Sequence, residues 1–445
     1  GLKVQPSKCH SLGISHTRGK TSVTRVRVNP FLNIDGTDLP VVPPGSWIKF
    51  LGIMIGPHGS CRLQRNTISE ALKRLMGAKL KPQQKIYMLK NHLIPRWRYS
   101  LSISEQTQQT LYWVDREVRR TVKKILHAPG CLSDNFIHLD SRNGGLGICS
   151  MTEWTYVAKM RLRSRLADSL DPAISVLAPT IYSRTHAVIG ARLKRMLGEE
   201  PTIKSLQQHR KKTLSEQVQG YGSEHFNNSY SNSWLSGSTR LISGRNYVQA
   251  CALRTQTLPT REAVSRGRSG TNNICRNCGL EEETLSHILQ NCHRTNKIRI
   301  HRHNAVLQIL TQHLCRRNWR IQEEPLIPTP GGNVIKPDVL ATDPEGNLYV
   351  IDAACPYEGG GDSLSRAAAA KVEKYSAYET SIRRYIGRTP RKTIFVGFVV
   401  GARGAMPPQT QEFCKQVGLG KGKLHLMSVR AIEGSLKIFR LFMAL

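Results

Sequence analysis

Apolar positions in the first part of the chain change from a two-residue to a helical period. Short β-rich runs, Ser22–Val28 and Trp47–Ile53, alternate with turns over roughly the first 60 residues. From about Thr67 the spacing becomes helical, and its clearest stripe is formed by Leu111, Val114, Val118, Val122 and Ile125. A stripe of this kind is typical of a helix with one buried face. We therefore predict a small β region followed by a helical one.

The middle of the chain, residues 151–250, also has mainly helical spacing. Within it, Tyr221–Ser238 is polar and rich in Ser and Asn, which predicts a linker. No run of 18 or more apolar residues occurs anywhere in the sequence. We therefore expect no membrane-spanning helix and no membrane partner.

The last third has a different pattern, in which strands and a helix alternate. Val334–Leu340 and Leu348–Asp352 are predicted strands on either side of the turn residues 343–347. A helix over about Leu364–Tyr385 and a buried strand at Thr393–Val400 follow. The whole chain is thus predicted to be an α+β protein with several domains.

Charge points to the class of partner. The chain has 65 Lys and Arg against 31 Asp and Glu, a formal net charge of +34. Such an excess attracts polyanions, and nucleic acid fits better than a membrane surface or the ribosome. The polar face of the 111–125 helix is either simply solvated or contacts a nucleic-acid backbone. We predict the second, with the contacts made by Arg116, Arg119, Arg120, Lys123 and Lys124.

Three of the eleven cysteines form a cluster with one histidine. Cys275 and Cys278 are separated by two residues, and His287 and Cys292 follow after eight and four more. Four thiolate or imidazole ligands complete a tetrahedral zinc ion, so we predict a structural Zn²⁺ site, with His293 as an alternative ligand. The cations around it are predicted to bind phosphates: Arg266, Arg268, Arg276, Arg294, Lys297, Arg299 and Arg302. The other eight cysteines are predicted to be buried.

Two aspartates stand at the ends of the two predicted strands. Asp338 follows Pro337, and Asp352 follows four apolar or aromatic residues. A surface hairpin with solvated acidic residues would have the same sequence pattern, but a carboxylate on a buried strand needs a partner. Carboxylate oxygens are the ligands of Mg²⁺, which neutralises phosphate and activates water in phosphodiester hydrolysis. Asp338 and Asp352 are therefore predicted to hold Mg²⁺, with a nearby lysine assisting.

Taken together, the motifs resemble the C-terminal half of site-specific non-LTR retrotransposon proteins that carry a restriction-like endonuclease. Leu2–Cys9 and Phe50–Ile53 resemble segments that follow the catalytic carboxylates of the reverse transcriptase palm. The thumb-like motifs are Leu80–Gln84, His92–Pro95 and Gly144–Ile148. Leu258–Arg261 with the Cys and His cluster resembles the linker and CCHC zinc knuckle, and Lys336–Asp338 with Asp352 the endonuclease.

The resemblance implies a division of the chain into domains. Residues 1–60 would be the end of the palm, 61–150 a mainly helical thumb and 151–270 a helical basic linker. The zinc knuckle would occupy 271–304, and 305–445 would be an α/β endonuclease of the PD-(D/E)xK restriction-like fold. The sequence contains no Asp-Asp polymerase motif, and it begins at Gly1 without an initiator Met. We therefore expect the palm carboxylates in an upstream part of a longer protein.

The resemblance also assigns the remaining endonuclease residues. Ala354 stands where the lysine of the motif is expected, which implies that the lysine has moved to the following helix, at Lys371 or Lys374. Glu358 fits a family motif, as a metal ligand, a brace or an ordinary loop carboxylate. Asp338, Asp352, Lys371, Lys374 and Glu358 are the expected catalytic set.

The function implied is target-primed reverse transcription. A Mg²⁺-dependent endonuclease would nick chromosomal DNA, and the new 3′ end would prime copying of the element RNA in the upstream palm. The expected partners are target DNA and element RNA, with possible self-association on the DNA. The expected location is the nucleus, after synthesis in the cytoplasm. The alternative is a protein that binds nucleic acid through the knuckle and has an inactive nuclease core.

Overall fold

The computed structural model describes most of the chain, namely residues 4–18, 23–43, 45–50, 53–55, 65–104, 106–181, 184–236, 238–387 and 389–445. Parts of the sequence predictions lie outside these ranges, at Leu2, Lys3, Ser22, Leu51, Gly52 and Cys61. The chain forms two compact units. Unit 1 comprises Gly1–Gly77, Leu89–Val118 and Cys149–Ile203, and unit 2 comprises Ala78–Met88, Arg119–Ile148 and Lys204–Leu445.

Helices and strands are both present, in agreement with the predicted α+β class. The α-helices of the described residues are α1 (Arg65–Gly77), α2 (Pro82–Met88), α3 (Ile94–Ile103), α4 (Gln108–Ile125), α5 (Asp134–His138), α6 (Met151–Ala167), α7 (Pro172–Ser175), α8 (Arg184–Leu197), α9 (Ile203–Ser215), α10 (Ser229–Asn232), α11 (Gly244–Arg254), α12 (Arg261–Ser265), α13 (Asn296–Cys315), α14 (Ser363–Ser376), α15 (Glu379–Ile386), α16 (Pro408–Gln416) and α17 (Lys421–Ala444), and short 3-10 and π-helical segments also occur. The strands are β1 (Gly13–Arg18), β2 (Val23–Val28), β3 (Asn33–Ile34), β4 (Thr37–Asp38), β5 (Ile48–Phe50), β6 (Ile53–Ile55), β7 (Arg320–Glu323), β8 (Ile327–Pro328), β9 (Val334–Ile335), β10 (Val339–Thr342), β11 (Leu348–Ala354) and β12 (Thr393–Val399).

Unit 1 begins with three antiparallel strand pairs, β1 with β2, β3 with β4 and β5 with β6. Helices follow, as the change of period predicts. The buried stripe on α4 consists of the five residues expected from the spacing, and Asp115 on the same helix is also buried. Its carboxylate accepts hydrogen bonds from the Met151 and Thr152 amides at 2.6 and 3.1 Å. A carboxylate stabilises a helix N-terminus, so Asp115 anchors the start of α6.

Unit 2 contains a four-stranded sheet, the largest among the described residues, with strand order β12-β11-β10-β7. β10 pairs antiparallel with β11 and with β7, whereas β11 and β12 are parallel. A parallel pair needs a crossover connection, and here α14 and α15 provide it. The order of these elements matches the predicted strand, turn, strand, helix and strand.

Alternate residues of the central strands serve the two faces of this sheet. Val339, Ile351 and Ala353 join one core cluster with residues of α13, α16 and α17. Leu340 and Val350 join the other, with residues of α14 and α15. Both faces are therefore covered, which explains why the predicted strands read as almost continuous apolar runs.

The polar stretch Tyr221–Ser238 is not a linker, contrary to the prediction. Phe226, Trp234 and Leu235 in this stretch are almost completely buried in unit 2. Asn232 Nδ2 donates hydrogen bonds to the Phe226 and Arg142 carbonyls. The few aromatic residues anchor the segment in the core, and its Ser and Asn side chains form hydrogen bonds with backbone groups. The average composition of the stretch therefore led to a wrong prediction.

The cysteines outside the predicted zinc cluster also differ from the prediction. Cys251 and Cys414 are buried as expected, but Cys131 and Cys315 are exposed. Among the described residues, no helix is both long and apolar enough to cross a bilayer.

Candidate functional site

Asp338 and Asp352 lie at the same end of the β10–β11 pair. Val339 is paired with Ile351, so Asp338, just before Val339, stands opposite Asp352, just after Ile351. Asp338 Oδ2 accepts a hydrogen bond of 2.6 Å from the Ala353 amide. Asp352 is only 5% exposed. The hairpin thus places Asp338 and Asp352 opposite each other at one end of the strand pair.

Lys371 lies on α14 and brings a positive charge next to Asp352. Its Nζ lies 2.5 Å from Asp352 Oδ2. α14 packs very close to the sheet at Gly397, the partner of Asp352 in β12. A Cβ at Gly397 would lie 2.0 Å from the Ala368 carbonyl oxygen. The absence of a side chain there lets α14 approach, and Lys371 is one helical turn beyond Ala368.

Lys374 has a different environment, although the sequence left it equivalent to Lys371. Its Nζ lies 3.1 Å from the Tyr375 hydroxyl and 4.7 Å from the centre of that ring. Tyr375 is buried, and its hydroxyl donates to the Lys336 carbonyl at 2.8 Å. Burial, and then the nearby Asp352 carboxylate, raise the pKa of Tyr375 well above its ordinary value. Tyr375 is therefore a neutral neighbour of the carboxylates, and Lys374 packs against it.

His303 on α13 is a neighbour of Asp338 that the sequence analysis missed. Its Nε2 lies 3.3 Å from Asp338 Oδ1. Burial alone would raise the pKa of Asp338, but the hydrogen bond and charge of His303, the Ala353 amide and the charge of Lys371 hold it below its ordinary value. Asp338 is consequently ionised. His303 lies 35 residues before Asp338, on an unrelated helix, so no local motif could have linked them.

A cavity of about 460 Å³ opens beside these residues, and its lining includes His303, Asp338 and Glu324. Glu324 has φ +49°, a left-handed conformation that is costly for a residue with a side chain. Its amide donates to the Asp338 carbonyl at 2.9 Å, and its carboxylate pairs with Lys336. Asp338 is therefore accessible from outside, and a strained backbone at Glu324 holds its carbonyl group, whereas Asp352 is buried behind it.

Glu358 is a brace in this structure. It is completely buried, and its carboxylate accepts from the Arg403 amide at 2.8 and 3.0 Å and from the Ala405 amide at 3.1 Å. Arg403 Nε adds an ion pair at 3.2 Å, and Arg403 is also buried. Both carboxylate oxygens are thus occupied by protein donors. Of the roles considered for Glu358, the geometry favours the brace.

The four residues of the predicted zinc cluster lie together. The sulfur and nitrogen atoms of Cys275, Cys278, His287 and Cys292 are all within 4.8 Å of one another. Tetrahedral bond lengths of zinc place neighbouring ligands about 3.5–3.8 Å apart, so the set could hold this metal with little adjustment. His293, the alternative ligand, is exposed and outside the cluster. Gly279 allows the tight turn after Cys278 with φ +68°.

Neighbouring groups orient the side chains of the four candidate zinc ligands. His287 Nδ1 lies 2.7 Å from Glu281 Oε2, and this leaves Nε2 facing Cys278 Sγ at 3.3 Å. A carboxylate on the far nitrogen fixes the tautomer of a ligand histidine. Burial would raise the pKa of Cys278, but hydrogen bonds from the Leu280 and Glu281 amides and from Cys275 and His287 lower it to about 7. Cys278 therefore readily supplies a thiolate.

The predicted phosphate-binding cations fall into two groups. Arg116, Arg120, Lys124, Arg268, Arg276, Arg294 and Lys297 are exposed, as the prediction requires, although Arg276 also pairs with Glu283 and Arg116 with Glu117. Four others are half-buried and contact protein groups: Arg119 and Lys123 pair with Asp134, Arg266 with Glu262, and Arg299 contacts Asn296. The prediction that Arg302 binds phosphate is wrong. Arg302 is 3% exposed and donates to Ser435 Oγ and to the Leu289 and Cys355 carbonyls, so it braces the interior.

Comparison with known proteins gives related sequences over the whole chain. No protein-family model matches it. A curated relative from Popillia japonica, "Retrovirus-related Pol polyprotein from type-1 retrotransposable element R2", is 28% identical over 451 residues, which cover 100% of this chain and 90% of the relative. The corresponding "type-2 retrotransposable element R2DM" protein of Drosophila melanogaster is 28% identical over 460 residues, covering 100% and 42%. A Nasonia vitripennis R2 protein is 25% identical over 452 residues, covering 99% and 42%.

The chain thus spans less than half the length of the Drosophila and Nasonia relatives. All three relatives are named as R2 retrotransposon Pol polyproteins. The retrotransposon resemblance that the motifs predicted is confirmed by these homologues, and a fragment of a longer Pol protein is consistent with them.

Proposed function

Since this chain is homologous along its whole length to the Pol polyproteins of R2 non-LTR retrotransposons, we propose that it is the part of such a protein that nicks target DNA. The reaction is metal-dependent hydrolysis of one phosphodiester bond. The new 3′ end then primes reverse transcription of element RNA in an upstream palm. The chromosomal target places this reaction in the nucleus. The fold proposed for residues 305–445 is the restriction-like endonuclease fold.

The observation that carries the proposal is the grouping of Asp338, Asp352 and Lys371. Two carboxylates at one end of a hairpin provide hard oxygen ligands that fit Mg²⁺. When bound, Mg²⁺ neutralises the phosphate and activates water. Lys371 stands beside Asp352 and supplies positive charge where negative charge develops on the phosphate. The cavity of about 460 Å³ at Asp338 gives the phosphate access.

The remaining residues hold the nuclease centre and the nucleic acid. Asp338 is held by His303 and the Ala353 amide, so its carboxylate is ionised and aimed before any metal binds. A structural Zn²⁺ bound by Cys275, Cys278, His287 and Cys292 stabilises the adjacent knuckle. The exposed cations Arg268, Arg294 and Lys297 around this knuckle contact phosphates of target DNA or element RNA.

Nicking of supercoiled plasmid by the purified chain tests this function. The wild-type chain is expected to convert supercoiled to open-circular DNA in Mg²⁺ and not in EDTA. Asp352→Ala is expected to lower the rate at least a hundredfold while binding of the plasmid is retained. Equal nicking by both chains would refute the assigned site, and binding by both without any nicking would favour the binding-only alternative.

A further inference from the structure

A second, larger cavity adjoins Asp338 along α13. This groove, of about 1110 Å³, is lined by Asn304, Gln308 and Gln312 from α13 and by Glu323, Glu324 and Asp338 opposite. It shares Asn304, Glu324 and Asp338 with the cavity of about 460 Å³ described above. The two cavities therefore meet at Asp338, and the groove leads away from that carboxylate along α13.

Three amide side chains form a row on the α13 side of the groove. Asn304, Gln308 and Gln312 follow at intervals of four residues, so they share one face of the helix. All three are exposed. At 1.5 Å per residue the row is about 12 Å long, the length of three to four stacked nucleotides. We call these three residues the amide row.

The charge of the groove is unusual for this chain. Among the described residues that line it, Arg316 is the single Lys or Arg, against three carboxylates. The whole chain carries a formal +34. A surface that bound the phosphate backbone would be lined by cations. Lys336 pairs with Glu324 at the groove, and further exposed cations lie along the chain beyond the two ends of the row, with Arg294 and Lys297 before it and Arg316 and Arg317 after it.

Amide side chains offer both a donor and an acceptor, which is the pattern that base edges present. Asn and Gln bind the edge of adenine through two hydrogen bonds, whereas phosphates prefer Arg and Lys. The groove therefore suits bases, with phosphates held by the cations at its ends.

We propose that the amide row contacts the bases of one strand of target DNA next to the phosphate that is cleaved. The inference rests on the proposed nuclease function and extends it to substrate recognition. It makes Asn304, Gln308 and Gln312 determinants of where the DNA is nicked, while Asp338, Asp352 and Lys371 perform the cleavage.

Binding to DNA with single abasic sites tests this proposal. The site is moved one nucleotide at a time on each strand around the main nick, and affinity is measured in Ca²⁺ so that the DNA remains intact. An abasic site removes the base and keeps the phosphate. Wild type is expected to lose about tenfold in affinity at two to four adjacent positions. For the Asn304→Ala/Gln308→Ala/Gln312→Ala variant, an abasic site at those positions is expected to cause no further loss of affinity relative to the same variant on intact DNA.

The matched control is Gln208→Ala/Gln416→Ala, which removes two exposed amides elsewhere in unit 2 and should keep the wild-type pattern. If the triple variant instead loses affinity equally on all DNAs, with a shallower dependence on salt, its residues contact phosphates and the proposal is wrong. An abasic pattern identical to wild type would also overturn it.

The assay separates this inference from the nuclease proposal. Should the chain bind DNA without nicking it, the abasic site is placed throughout the strongest binding site, and the same comparison of variants applies. A base-dependent loss that disappears in the triple variant would then support the amide row alone.

Discussion

The Nζ atom of Lys371 lies 2.5 Å from Oδ2 of Asp352, whereas Lys374, three residues later on the same helix, packs on the ring of Tyr375. Their spacing in the sequence makes the two lysines equivalent, because residues three apart share a helical face. The packing of α14 distinguishes them. Lys371 reaches the carboxylate because Gly397 lets the helix backbone approach the sheet.

The first prediction concerns these two lysines. Lys371→Ala should lower the nicking rate by 10²–10³, the usual effect of removing a group that stabilises charge in the transition state. Lys374→Ala should lower it less than about tenfold, since its contact is with Tyr375. Initial rates of plasmid nicking at saturating Mg²⁺ measure both. The assignment of Lys371 would be lost if Lys374→Ala were the more damaging change.

Gly397 provides a test of how the helix is positioned. Gly397→Ala places a Cβ against the Ala368 carbonyl, so α14 must move away and take Lys371 from Asp352. We expect a loss of nicking of at least tenfold with zinc content unchanged. Gly422→Ala is the matched control, because a Cβ there meets no neighbour within 4 Å. Full activity of Gly397→Ala would show that the close approach is unnecessary.

Glu358 should affect stability more than metal binding. Glu358→Gln leaves the buried Arg403 without its carboxylate partner, and breaking a buried pair costs about 3–5 kcal/mol. Denaturant unfolding should show this loss, and the exposed Glu412→Gln should not. The Mg²⁺ concentration for half-maximal nicking should be the same as in wild type. A shift in that concentration without a change in stability would make Glu358 a metal ligand instead.

The Cys and His cluster is predicted to bind one zinc ion per chain. Cys275→Ser should lose the metal, as measured by elemental analysis of the purified protein. Glu281→Gln should weaken the affinity for zinc about 10–100-fold, because Glu281 orients His287. Its neighbour Glu282→Gln is the control, since Glu282 is exposed. Unchanged affinity in Glu281→Gln would mean that its contact with His287 does not support the site.

Much of the candidate nuclease site could be predicted from the sequence because its signals are local. The Asp338 and Asp352 pair followed from two strands and a strong turn, and the zinc cluster from the spacing of its cysteines. Each of these patterns is completed within about twenty residues. The order of strands and helices in this region was predicted correctly for the same reason.

The remaining features depend on contacts between distant segments. His303 meets Asp338, and Glu358 meets Arg403, only after the whole of unit 2 has folded. Arg302 reads as a surface cation, but the chain buries it by supplying three acceptors from separate segments. Tyr221–Ser238 reads as a linker because composition averages away the few aromatic residues that anchor it. These features were missed because no pattern along the sequence records tertiary packing.

The most direct test of the nuclease centre compares isosteric variants of its two carboxylates. Asp338→Asn and Asp352→Asn keep the shape of each side chain and remove the charge that would hold Mg²⁺, and Glu345→Gln removes an exposed carboxylate from the turn at the other end of the same hairpin. Nicking in Mg²⁺ is measured for proteins with equal zinc content and equal unfolding midpoints. We predict that both aspartate variants lose at least a hundredfold in rate and that Glu345→Gln retains the wild-type rate. Wild-type rates in both aspartate variants would contradict the assignment.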